Sequence, residues 1–148
     1  MARWVLLLQK VMNIAARLIL RKPRDYSTTE MFRELHWLKM EDRISFKVLS
    51  LTWKALNNSS PSSYISNLIT PRIPTRHLRS SDNLDLLVPK TRTCFGDRAF
   101  RSSAPKLWNA LPKIIRKQTS LSSFKSKLKL IYFEKRTVNH YKYGYCSA

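Results

Sequence analysis

Residues 41–57, EDRISFKVLSLTWKALN, constrain the fold more than any other stretch of this chain. At the helical period, Ile44, Val48, Leu51 and Ala55 form one apolar stripe, and Phe46, Leu49, Trp53 and Leu56 form a second almost opposite. Only Arg43, Lys47, Ser50 and Lys54 remain as a narrow polar strip. A helix that is apolar on two sides must be packed between neighbours, so this segment is expected at the centre of a helical core.

The rest of the pattern supplies those neighbours. Residues 4–21 read as an amphipathic helix, with Trp4, Leu8, Val11, Ala15, Leu18 and Ile19 on a broad face expected to be buried. Lys10, Arg17 and Arg21 fall on the other side, and Pro23 ends the helix. Ser27–Glu30 (STTE) matches a capping box and opens a short helix through MFRELHWL. After a Ser- and Asn-rich loop at 57–63, SYISNLI reads as a helix of one or two turns. Residues 70–83 have no sustained period and are expected to be irregular.

The segments LDLLVP (84–89) and TRTCF (91–95) have strand-like composition, so a short β-hairpin near 84–95 is expected as an option. A helix follows from about Asp97, which is placed as its N-cap; it should break near Pro105 and end before Pro112. Gly96 is read as the turn before it, Phe100 and Trp108 as its anchors. The last helix, near 121–134, is capped by Thr119 or Ser120, with Leu121, Phe124, Leu128, Ile131 and Tyr132 on its apolar face. The resulting expectation is a mainly α chain: a small irregular bundle of five or six helices in one domain over residues 1–135, with a flexible tail at 136–148.

Charge narrows the partner class. The 148 residues hold 28 Lys and Arg against 9 Asp and Glu, a net charge of +19. Such a chain attracts polyanions. The excess is uneven: residues 27–58 are near neutral, whereas 1–26, 72–117 and 118–148 are strongly basic. Candidate nucleic-acid contacts are therefore Lys10, Arg17 and Arg21 on the first helix, Arg43, Lys47 and Lys54 on the central one, Arg76 and Arg79 in the irregular middle, and Arg92, Arg98 and Arg101 around Gly96. Expected partners are RNA or DNA backbone phosphates. A small-molecule substrate is not expected, and a membrane is set aside as a leading partner.

Chemistry that needs special residues finds few here. With only two glycines, a Gly-rich phosphate cradle is not expected. Cys94 and Cys146 are far apart and His36, His77 and His140 are scattered, so no metal site or cofactor is expected and the thiols are read as reduced. Glu34 is read as solvated and His36 as partly buried at a helix end, rather than as an acid and base, and no serine sits in a nucleophile-elbow motif. The N-terminal apolar run is broken by Gln9, Lys10 and Arg17, which argues against a signal peptide or a span. An intracellular location, nuclear or cytoplasmic, is expected.

Several blocks share one resemblance. QKVMNIAARLI (9–19), RELHWL (33–38), RISFKVLSLTWKALN (43–57), PSSYISNLI (61–69), LRSSDNLDLLVPKTRTCFGDRAFRSSAPKLWNALP (78–112) and SLSSFKSKLK (120–129) resemble, in order and spacing, the segment downstream of the reverse transcriptase domain in LINE-type, non-LTR retrotransposons of animals. The resemblance covers nearly all of residues 9–133. It implies a C-terminal piece of a polyprotein whose parent is an RNA-directed DNA polymerase. The polymerase aspartates and the endonuclease would lie outside this stretch, so no catalytic residue is carried over. It also implies a position next to template RNA and target DNA, with the reverse transcriptase domain as a further partner. In the usual pattern a proline follows HWL. Lys39 stands there instead, a departure that would let two helices merge. Residues 134–148 do not match. The competing reading is an interaction protein whose basic amphipathic helices meet anionic membranes or partner helices.

Overall fold

A computed structural model describes residues 3–57, 63–72 and 84–134. The chain is mainly helical, with eight helices among these residues. They are α1 (Arg3–Leu20), α2 (Thr28–Glu34), α3 (Met40–Leu56), α4 (Ser63–Asn67), α5 (Cys94–Arg98), α6 (Phe100–Asn109), α7 (Lys113–Arg116) and α8 (Leu121–Glu134). The count exceeds five or six because α4, α5 and α7 are single turns or little more. The described residues fall into two compact units, one within 1–44 and 130–148 and one within 45–129, with the divisions falling inside α3 and α8. The tail at 136–148 lies outside the described residues, as do Arg76 and Arg79.

In the first unit, α1 packs on α2 around Ala16, Met31 and Phe32, with Met12, Leu20, Tyr26, Leu35 and Trp37 closing over them. This corrects the expected orientation of α1. Trp4, Val11 and Leu18, expected to be buried, are 75%, 62% and 75% exposed, whereas Ala16 is fully buried. The buried strip is the narrower one through Met12, Ala16 and Leu20, where a small residue lets α2 come close. Gln9 adds a polar tie: it donates to Asn13 Oδ1 at 2.8 Å and accepts from the Met40 N–H at 2.8 Å. That bond satisfies one of the orphan donors at the start of α3.

Helices α2 and α3 stay separate despite Lys39. The end of α2 carries the reason. His36 adopts a left-handed conformation (φ 52°). Its N–H donates to the Arg33 carbonyl at 3.1 Å, and the Trp37 N–H reaches back to Phe32 O at 2.8 Å. This is a Schellman ending, completed by the edge-on packing of Trp37 against Phe32 at 6.1 Å. A histidine does here what glycine usually does. Arg21 (φ 49°) ends α1 in the same way, with the Lys22 N–H donating to Arg17 O at 3.3 Å. Ser27 stands at the N-cap of α2 as expected, but its side chain makes no capping hydrogen bond.

In the second unit, residues 45–56 of α3 are closely enclosed; of these only Lys47 is exposed. Ser50 departs from the polar strip and is buried, because its hydroxyl donates to the Phe46 carbonyl at 2.7 Å. Thr52 does the same to Val48 O at 2.9 Å. Trp53 and Trp108 both pack on Phe124, with ring centroids 6.1 and 5.9 Å apart. The indole N–H of Trp53 donates to Gln118 O at 3.1 Å and that of Trp108 to Leu84 O at 2.9 Å, so both rings are buried without an orphan donor. Helix α8 follows the sequence pattern: Ser120 Oγ accepts from the Ser123 N–H at 3.2 Å, and Phe124 and Leu128 in this unit, like Tyr132 in the first, are buried.

The hairpin over 84–95 does not form. Leu86 instead makes an isolated antiparallel bridge with Pro71, through Arg72 N–H to Asp85 O and Leu87 N–H to Thr70 O, each 2.9 Å. On its other edge Leu86 is held by the side chain of Asn109, whose Oδ1 accepts from Leu86 N–H at 2.8 Å and whose Nδ2 donates to Leu86 O at 2.9 Å. Cys94 and Phe95, expected in the second strand, instead open α5. Pro105 does not break α6 either. Its missing N–H would have bonded to the carbonyl of exposed Arg101, where water can serve, and its ring is buried.

Candidate nucleic-acid interface

The local order around Gly96 begins with Thr93, not Asp97. Thr93 is extended, and its hydroxyl accepts from the Gly96 N–H at 3.1 Å to cap α5. Gly96 is inside that helix rather than at a turn. Its role is close approach, since a Cβ there would sit 3.3 Å from the Thr91 side chain and from Thr93 Oγ1. Asp97, displaced from the cap, accepts from Thr91 Oγ1 and pairs with Lys106 Nζ at 2.8 Å. The hydrogen bond from Lys106, then that from Thr91, holds the Asp97 carboxyl below the ordinary carboxylate range. Ala99 (ψ 145°) interrupts the helical path, and its carbonyl accepts from the Ser102 and Ser103 N–H groups at 3.0 and 2.9 Å to start α6.

This frame leaves Arg92, Arg98 and Arg101 exposed, and none of the three forms an ion pair with a described residue. Phe95, one turn before Arg98, is 84% exposed. The Arg98 guanidinium lies over its ring, 5.9 Å from the centroid. An accessible aromatic face beside guanidinium groups can stack a base and hold phosphates. Phe95 was absent from the sequence candidates because it was assigned to a strand. The signal was its spacing of three from Arg98, which brings the two together only if the segment is helical.

The other candidates divide by environment. Arg43 and Lys47 are exposed on α3, and Lys54 is half-buried. On α1, Lys10 is exposed, and Arg21 is exposed at the helix end. Arg17 is half-buried and donates through its guanidinium to Arg24 O at 3.1 Å, so it already ties the C-terminal end of α1 to the next loop. Trp108, expected as an anchor of its helix, is core. Arg116, never a candidate, is 7% exposed and pairs with Asp85, fixing the 84–87 segment. Among the described residues no three His, Cys, Asp or Glu side chains come together as a metal site.

No family model, curated protein or solved structure matches this chain.

Proposed function

We propose that this chain is a non-catalytic, basic nucleic-acid-binding module, akin to the region that follows the reverse transcriptase domain in LINE-type retrotransposons. The observation that carries the binding reading is the exposed Phe95 with Arg98 over its ring, flanked by exposed Arg92 and Arg101. A nearby carboxylate would weaken such a site, but Asp97 is neutralised by Lys106. The net charge of +19 adds long-range attraction for a polyanion. The LINE relationship rests on the ordered sequence blocks and supplies the context: RNA or DNA held beside a polymerase, with chemistry performed elsewhere.

The test is fluorescence anisotropy of the full chain on a single-stranded RNA across a salt series. Phe95→Ala removes the stacking face and is expected to weaken binding by roughly 1–3 kcal/mol. Arg98→Ala is expected to lower the salt slope by about one phosphate contact. Affinity that does not change with salt would remove the phosphate-contact account.

A further inference from the structure

We propose that the outward face of α1 is a docking element for anionic lipid surfaces, separate from the α5–α6 site. Trp4, Leu7, Leu8, Val11, Ile14 and Leu18 are all exposed in this structure. Their spacings of three and four put them on one continuous side of a helix about 27 Å long. An apolar stripe of this extent on a helix needs a cover.

The charges beside the stripe select the cover. Helix α1 contains no acidic residue, and the first in the chain is Asp25. Arg3 lies one turn before Leu7, and Lys10 is one turn from both Leu7 and Ile14, so exposed cations run along one edge of the stripe. Greasy residues bordered by cations, with no anion, match an anionic headgroup layer over acyl chains. A second copy fits poorly. Two α1 helices meeting antiparallel across a two-fold axis would place both cationic edges on the same side. A net charge of +19 adds to that repulsion.

Two further observations bear on how this face would be covered. The cavity of about 260 Å³ beside α1 is lined by Val5, Leu6, Gln9 and Asn13, on another side of the helix, so it offers no pocket under the stripe for a partner's side chain. No helix among the described residues is long and apolar enough to cross a membrane. The fitting mode is thus a helix lying in the interface plane, with Trp4 at headgroup level. The sequence pattern placed this face inside the core. Its exposure brings membranes back as a partner.

The test is flotation of the full chain with vesicles of pure phosphatidylcholine and with vesicles holding about 30% phosphatidylserine, at near-physiological salt where exposed charges are screened beyond about 8 Å. Binding is expected on the anionic vesicles and not on the neutral ones. A triple variant, Trp4→Ser with Val11→Ser and Leu18→Ser, changes only exposed side chains and is expected to keep the helical circular dichroism spectrum. It should lose vesicle binding about tenfold or more while keeping its RNA affinity. Failure to bind anionic vesicles overturns the proposal. So does binding that the triple variant leaves intact, which would assign it to charge alone. A dimer in sedimentation equilibrium that the triple variant dissolves, without vesicle binding, would assign the face to a second copy. Phe95→Ala, which tests the RNA site, should leave vesicle binding unchanged, so the two proposals fail separately.

Discussion

Helices α1 and α8 present similar sequence patterns and opposite outcomes. Both show apolar residues at helical spacing with cations alongside. In α8 the apolar line is the buried one: Phe124 and Leu128 are fully enclosed, and Phe124 receives Trp53 and Trp108. In α1 the broad apolar face is exposed, and a slimmer strip centred on Ala16 makes the contact. Periodicity identifies an apolar face, but what covers it depends on partners elsewhere in the chain. Around α8 those partners are large aromatics. Around α1 they are Met31 and Phe32 of a short helix, which can cover only one strip.

Substitution of one tryptophan in each region sharpens the contrast most. Trp108→Ala removes a fully buried ring and is expected to cost roughly 3–5 kcal/mol in urea unfolding. Trp4→Ala, at an exposed ring, is expected within about 0.5 kcal/mol of the parent. Equal effects would mean that α1 is covered in solution and the comparison fails.

Asn109→Ala comes next. It leaves the N–H and C=O of buried Leu86 without partners, and a loss of about 2 kcal/mol is expected from the same measurement. Arg21→Gly has the opposite sign. It relieves a non-glycine residue in the left-handed region at an exposed helix end, and a gain of up to about 1 kcal/mol is expected in thermal or urea unfolding.

The smallest effect is at Asp97. Its carboxyl titrates below the ordinary range when folded, so its contribution is present above the unfolded carboxylate value and lost as pH falls through the lowered folded one. The stability gap between the parent and Asp97→Asn should therefore narrow in acid. A gap that stays constant from neutral to strongly acidic pH would remove the Lys106 pair as its cause. The group is exposed, so the effect is modest.

What could be read in advance follows from which interactions are local. The cap of α8 by Ser120, the enclosed α3 and the buried face of α8 depend on spacing within one helix, and the sequence pattern states them. The hairpin failed because the backbone of Leu86 is claimed by Asn109, a distant side chain no strand propensity could reveal. The merging of α2 and α3 failed because His36 accepts a conformation that composition assigns to glycine. In the candidate interface, the exposed Arg92, Arg98 and Arg101 were legible as charge. Phe95 was not, since its pairing with Arg98 requires α5, and α5 depends on a threonine cap rather than on apolar periodicity.

The amide of Asn109 has one more consequence. Leu86 is flanked on one edge by backbone from 70–72 and on the other by that amide, so this extended segment is closed along both of its own edges. An isolated extended segment in a sticky, cationic chain would otherwise be a template onto which another molecule could add a strand and begin to polymerise. Here a single helical side chain acts as the last strand of a miniature sheet and seals its growing edge.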